Sequence, residues 1–413
     1  MGVTSYPRFC ANSENNRPEV VRLTGERIMA GRGMKILGGL VVAVAAVGVI
    51  GYGVVMNVPA VQDTIMKRTI AQRLATSGPA ALLDDGALHV FLCGTGSPMP
   101  DMTRANACSA IMAGGHMVII DTGPGSWRRI AEARLPAAKI DTILLTHLHS
   151  DHIGDLGEFA TQSWIAGRST PLDVRGPTAL PEPAADTDSQ GKSFGTSSTE
   201  DVVKGFALAY NSDAAFRILH HGADHLIPDG ADMVGHNIVT PDYNVLQPVY
   251  ERDGLKISAF LVDHTPIKPA YGYRVEYNGR VAVLSGDTAK TESVERFSKD
   301  ADLLVHEALN KEMVQMIVNG VTTSGNPRLG DMAHDTLDYH ASPVEAAEIA
   351  NAAGVKLLVY SHVVPPLPNA IAERMFMRGV DAVQGDADVK IGYDGMLITM
   401  PAGSDKVEVS KLP

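Results

Sequence analysis

Cysteine is scarce in this chain: three among 413 residues, Cys10, Cys93 and Cys108, with no CxxC spacing. That excludes a disulfide-scaffolded fold and a thiolate zinc knuckle. Cys93 and Cys108 read first as two small buried hydrophobes inside apolar stretches, with a bridge between them as the alternative. An excess of positive charge is also missing. Lys and Arg number 35 against 47 Asp and Glu, a formal net charge of −12 with histidine neutral. This argues against non-specific nucleic-acid binding, because phosphate backbones are gripped by clustered Lys and Arg. No internal repeat is present. With 45% hydrophobic and 20% charged residues, the composition is that of a folded protein with a large core, and it excludes disordered and collagen-like classes.

One long uncharged run stands near the start. Residues 36–56 read ILGGLVVAVAAVGVIGYGVVM, matching the roughly 20 apolar residues that a bilayer-spanning helix needs. Arg27, Arg32 and Lys35 precede it, which favours a cytoplasmic N-terminus. The expectation is an inner-membrane anchor over 34–57 with the catalytic domain outside the cytoplasm, in the periplasm. A cleaved signal, giving a secreted protein, is disfavoured by the lack of an A-x-A site after Met56, and a buried helix is the third reading. Met34 reads as a natural start, so 1–33 is expected to be a disordered or mis-assigned extension. Residues 58–86 read as a linker with a helix over Ile65–Ala75, and 87–413 as the catalytic domain.

That domain begins with strands and turns: LHVFLCG, then Gly94-Thr95-Gly96-Ser97-Pro98, then CSAIMA, and MVIID ending at Asp121. A helix is expected over Ser126–Arg134, followed by the buried-type strand TILLTH ending at His147. Residues 177–248 depart from this rhythm and read as an insertion with a helix over Val202–Leu219. The strand pattern resumes with LKISAFLVDH, YGYRVEY, the turn Asn278-Gly279 and VAVLSGD. Helices are expected over Thr288–Lys299, Ala308–Val318 and Pro343–Ala353.

The chemistry is concentrated in His147-Leu148-His149-Ser150-Asp151-His152. A strand end followed by a tight turn can aim His147 and His149 at one metal ion and Asp151 and His152 at a second. Imidazole and carboxylate donors suit zinc, and also iron or manganese. His264 in VDHTP, Asp287 in SGDT and His362 in YSHVVP each end another apolar run. With Asp121 in IIDTG, the set resembles the metallo-β-lactamase fold superfamily from Leu88 to about Thr399. Gly94-Thr95-Gly96-Ser97-Pro98, Tyr271-Gly272-Tyr273-Arg274, His306-Glu307-Ala308, and His340 followed by Ser342 are similar to its ribonuclease Z, arylsulfatase and phosphodiesterase branch.

The resemblance implies an α/β fold, a four-layer αββα sandwich carrying an inserted helical arm and preceded here by the anchor or signal helix. It implies two zinc ions, one on His147, His149 and His264, the other on Asp151, His152 and His362, with Asp287 bridging and Asp121 orienting the ligands. A hydroxide bridging the ions would be the nucleophile, aimed by Asp151. His340, held by Glu307, would protonate the leaving group. A helix-capping Glu307 with a surface His340 is the alternative. His220, His221, His225 and His236 in the insertion suggest a third metal site as an alternative, disfavoured because the first three, at i, i+1 and i+5, do not form one tidy facial cluster, and His306 and His334 read as supporting or structural residues. Trp164, Phe194, Phe206 and Tyr210 suit either a pocket or the core.

Substrate class turns on the insertion. Ribonuclease Z relatives use an arm in this region to hold transfer RNA, and such an arm should be basic. Residues 176–250 instead carry ten acidic side chains against Lys192, Lys204 and Arg217. The expected substrate is therefore a small anionic ester, a phosphodiester or aryl sulfate, with nucleic acid disfavoured and the insertion serving as a cover or homodimer contact. The alternatives are transfer-RNA 3′ processing, lactone hydrolysis and a non-catalytic metal-binding protein.

Overall fold

The computed structural model describes residues 52–75, 79–180 and 195–412, so the expectations for residues 1–33 and for 36–51 of the apolar run lie outside the described residues. The chain divides into two units, 1–76 and 77–413. In the first, helix α1 spans Pro59–Ala75, beginning six residues before the expected start at Ile65. Among the described residues no helix is long and apolar enough to cross a membrane.

Among the described residues the second unit is built on fifteen strands in two sheets. In chain order they are β1 Leu88–Gly94, β2 Cys108–Ala113, β3 His116–Ile120, β4 Ile140–Leu144, β5 Leu172–Gly176, β6 Met233–Asn237, β7 Gln247–Arg252 and β8 Leu255–Leu261. There follow β9 Tyr271–Tyr277, β10 Arg280–Leu284, β11 Leu303–Leu309, β12 Leu357–Val364, β13 Asp388–Ile391, β14 Met396–Met400 and β15 Glu408–Lys411. One sheet runs β15-β14-β1-β2-β3-β4-β5-β6 and the other β13-β12-β11-β10-β9-β8-β7.

The period-two pattern of each strand explains the layering. Leu88, Val90 and Leu92 of β1 point into a core shared with Tyr271, Tyr273 and Val275 of β9 and with Leu303 and Val305 of β11. Phe91 and Cys93, one residue out of phase, face helices instead. Both faces of each sheet are thus buried, and each fully buried large side chain contributes about 1.5–3 kcal/mol. Helices α2 Ser126–Glu132, α4 Leu156–Ile165 and α5 Thr199–His221 cover the first sheet through Ile130, Phe159 and Val203. Helices α6 Glu292–Phe297, α9 Pro343–Ala353 and α10 Ala370–Phe376 cover the second through Val294, Ala347, Ala350 and Phe376. Short 3-10 turns aside, the remaining helices among the described residues of this unit are α3 Ser150–Ile153, α7 Lys311–Thr323 and α8 Pro327–Asp335.

Several boundaries differ from the sequence reading. The apolar run of β11 continues to Leu309, so the helix expected from Ala308 begins at Lys311 behind Asn310, whose side chain accepts from the Met313 N–H. The helix expected from Thr288 begins at Glu292, because Thr288 is fixed to Asp263 and Glu307. Within residues 177–248, β6 extends the first sheet in parallel beside β5, and α5, which contains the expected helix Val202–Leu219, packs on it at its start through Thr199 and Val203 while Leu208, Phe216 and Leu219 are exposed. Cys93 and Cys108 are joined in a disulfide between β1 and β2, with Cα atoms 5.0 Å apart, rather than being two free buried thiols.

Candidate metal centre

The site gathers at the carboxyl ends of β3, β4, β8, β10, β11 and β12, the usual position for ligands in layered α/β sheets. Asp121 follows β3 with φ 60°, a left-handed backbone that is rare for a residue with a side chain and tends to occur at functional sites. Its Oδ1 accepts from the Thr146 N–H at 2.8 Å, and its Oδ2 accepts from Thr146 Oγ1 and His152 Nδ1, each at 2.8 Å. The Thr122 N–H donates to the His152 carbonyl at 2.7 Å. A Cβ on Gly123 would lie 2.2 Å from the Asp151 carbonyl oxygen, so only glycine permits this close packing of the two loops.

His362 arrives by a different device. Glu307 of β11 pairs with Ser361 of β12, but Ala308 pairs with Val363. His362 is therefore an extra residue, a β-bulge at φ 45°, and bulges commonly re-aim a side chain beside an active site.

Donor atoms of His147, His149 and His264 lie within 4.8 Å of one another, as do those of His147, His152 and Asp287, and of Asp151, His152 and His362. Asp287 Oδ2 is central, 3.4 Å from His152 Nε2, 3.3 Å from His362 Nε2 and 3.9 Å from His147 Nε2. His362 Nε2 also lies 3.1 Å from Asp151 Oδ2. All seven expected ligand residues are thus brought together. All but the partly exposed His149 are buried.

Burial lowers the pKa of His147 strongly and takes that of His264 down to about 4. At His152 and His362 burial works the same way, but the carboxylates of Asp287, Asp121 and Asp151 outweigh it, raising His362 to about 8. Asp287 stays ionised far below the usual carboxylate range: burial opposes this, but His362 and His152 prevail.

The residues fit a divalent metal. His152 Nε2, His264 Nε2 and Asp287 Oδ1 are buried with no hydrogen-bond partner, although buried polar groups are nearly always paired. The nitrogens at the far side of three rings are held, as ligating histidines require: His152 by Asp121, His264 Nδ1 by the Tyr339 carbonyl at 3.1 Å, and His147 Nδ1 beside Thr146 Oγ1 at 3.1 Å. Thr146 and Tyr339 were not apparent from the sequence, since neither a threonine in LLTH nor a carbonyl oxygen carries a motif signal.

Glu307 does not cap a helix and His340 is not on the surface. Glu307 lies in β11, where Oε1 accepts from His340 Nδ1 at 2.8 Å, the Thr288 N–H at 3.0 Å and the Ala341 N–H at 3.3 Å. The His340 ring stacks on His362 with centroids 5.5 Å apart. Other expectations fall away from the centre. His220, His221, His225, His236 and His334 join no metal-type cluster among the described residues. Phe206 packs against the helix-side core of the first sheet, Trp164 is buried with its Nε1–H donating to the Ile227 carbonyl, Tyr210 and Trp164 border a separate cavity, and Phe194 lies outside the described residues. A cavity of about 430 Å³ adjoins His149, lined by Leu148, Val202, Pro266, Ile267, Lys268 and Pro269 among others.

Residues 103–362 match the model of the metallo-beta-lactamase superfamily. The protein named Ribonuclease Z from Mycobacterium bovis (strain BCG / Pasteur 1173P2) is 32% identical over 310 residues, covering 74% of this chain and 96% of the relative. Ribonuclease Z of Mycolicibacterium paratuberculosis is 36% identical over 307 residues, with the same coverage. Among solved structures, the metallo-beta-lactamase fold protein YhfI from Bacillus subtilis aligns at a TM-score of 0.50 and 18% identity, over 76% of this chain and 99% of that one. These findings overturn one expectation. A membrane-anchored, periplasmic or secreted catalytic domain does not agree with relatives named Ribonuclease Z that match along nearly their whole length. Ligand geometry, strand-end placement and relatives agree on one assignment: the chain belongs to the metallo-beta-lactamase superfamily, in the branch that contains the ribonucleases Z.

Proposed function

We propose that this chain is a two-metal phosphodiester hydrolase of the ribonuclease Z kind, acting on the 3′ extension of an RNA through a catalytic domain spanning 87–413. The observation that carries the reading is the 32–36% identity to ribonucleases Z over 96% of their length, joined to a complete set of buried nitrogen and oxygen donors. His147, His149 and His264 would hold one ion, and Asp151, His152 and His362 the other, with Asp287 shared. The donors suit zinc, with iron or manganese as substitutes. Such a pair, when bound, acidifies water at neutral pH and neutralises charge at the attacked phosphorus.

The chain's own residues do the rest. Asp121 fixes the His152 ring through Nδ1. Asp151 orients the attacking water. His340 presents Nε2 to the leaving oxygen as general acid, while Glu307 holds its Nδ1–H and so aims the ring. The cavity beside His149 takes the part of the substrate that flanks the scissile bond.

A second reading, a small phosphodiester or aryl sulfate, is favoured by the acidic composition of 176–250. Its force is reduced by distance for Asp213, though not for Glu200 and Asp201, which stand within two residues of Val202. Val202, at the start of α5, borders the cavity beside His149, but Asp213 lies about 16 Å farther along the helix at 1.5 Å per residue. At physiological ionic strength that is about twice the Debye length, and Asp213 is also paired with Arg217.

The test is a panel assayed with zinc and with manganese: a 3′-extended transfer-RNA precursor, bis(p-nitrophenyl) phosphate and p-nitrophenyl sulfate. Cleavage of the precursor at its 3′ extension supports the proposal. Turnover of the small esters with the precursor left intact supports the second reading, and a zinc-loaded protein inert on all three contradicts both.

A further inference from the structure

Five buried side-chain atoms around the centre have no partner: His152 Nε2, His264 Nε2, Asp287 Oδ1, His362 Nδ1 and Glu307 Oε2. The first three belong to the proposed ion positions. The last two do not. His362 turns Nε2 toward Asp151 and Asp287, so its Nδ1 faces away from them. Glu307 already uses Oε1 for three donors, which leaves Oε2.

These two atoms are complementary. A neutral histidine that ligates through Nε2 carries its proton on Nδ1 and must donate from it, and an ionised carboxylate can only accept. Glu307 and His362 are buried, at 2% and 4% exposure. They stand on adjacent parallel strands, offset by the single bulge residue. Both line a cavity of about 40 Å³ between the sheets, together with Ser285 and Ser361. A space of that size holds about two waters, and a buried water needs two or more polar partners.

We propose that a buried water bridges His362 Nδ1–H to Glu307 Oε2, making Glu307 a positioning residue for a metal ligand as well as for His340. The inference rests on the reading of His362 as a ligand. It assigns one carboxylate to two tasks: Oε1 aims the general acid and Oε2 orients the histidine that holds the ion. Three of the other histidines at the centre have their outer nitrogens served by Asp121, Thr146 and Tyr339, and this water would complete the same arrangement at His362.

The experiment is zinc titration of the full chain against a competing chelator, comparing wild type with Glu307→Gln and His340→Ala. The expected result is a roughly 10–100-fold loss of zinc affinity in Glu307→Gln, the range for groups that orient ligands. His340, although its donor atom lies within 4.8 Å of those of Asp287 and His362, is not among the seven proposed ligands, and His340→Ala should stay within about twofold of wild type. Unchanged affinity in Glu307→Gln, or an equal loss in both variants, overturns the bridge while leaving the metal reading intact. A wild-type chain that binds no zinc overturns both. Because Glu307→Gln could misfold, ¹⁵N-histidine spectra of zinc-loaded wild type supply a second readout. The His362 Nδ1–H signal should show a cross-peak to a long-lived water, and its absence would refute the proposal without any variant.

Discussion

A buried imidazole is a firm metal donor only when its other nitrogen is held, and at this centre much of that holding falls to Asp121. Its carboxylate ties Thr146 and His152 together from a left-handed backbone position. Asp121→Ala is expected to lower zinc affinity about 10–100-fold, read by chelator competition; affinity equal to wild type would remove Asp121 from the account. His340 makes a different prediction. His340→Ala should keep the zinc content of wild type but lose about 10²–10⁴ in kcat, with the deficit shrinking for aryl phosphodiesters whose leaving group needs no proton. An equal deficit for good and poor leaving groups would contradict its role as acid. At this scale the sequence was informative where motif spacing fixes donor identity, as in His147 to His152. It was silent where the contact is a backbone carbonyl, as at Tyr339, or a register irregularity, as at His362.

At the scale of elements, legibility followed how local the causes are. Helix α9 matches its expected bounds because every determinant lies in a dozen residues: the Ser342–Glu345 capping box, Pro343 in the first turn and Gly354 at φ 69° after the end. Strand β6, inside 177–248, carries no pattern of its own in the sequence because it becomes a strand only by pairing with β5, a non-local event. The same is true of the pair Arg280–Asp302, which joins the starts of β10 and the loop before β11. Both side chains are buried, with Arg280 Nη2 at 2.9 Å from Asp302 Oδ1 and Nε at 3.1 Å from Oδ2, and Lys356 reaches the same carboxylate. Removing one partner of a buried pair strands the other charge. Asp302→Ala should therefore cost about 3–5 kcal/mol in urea unfolding while leaving zinc affinity of the folded protein unchanged. A loss under 1 kcal/mol would show that Arg280 finds other compensation.

For the whole molecule, the net charge of −12 first pointed away from nucleic acid, and the fold changes what that number means. Charge acts on a substrate over roughly a Debye length, and along α5 Asp213 lies about 16 Å beyond Val202 at 1.5 Å per residue, whereas Glu200 and Asp201 stay beside the cavity at His149. A chain-wide average was therefore a poor guide to the local field, whereas similarity to ribonucleases Z along 96% of their length bears on the site itself. The central claim is that a pair of divalent ions, held by seven named side chains, cuts a phosphodiester bond. It is tested most directly by stripping the protein with chelator and measuring the initial rate of cleavage of a 3′-extended transfer-RNA precursor during stepwise return of zinc. The expected rate is abolished by chelation and restored by about two equivalents of zinc, the number the two donor sets imply. Undiminished cleavage by the stripped protein, or a chain saturated with zinc that leaves the precursor whole, would contradict it.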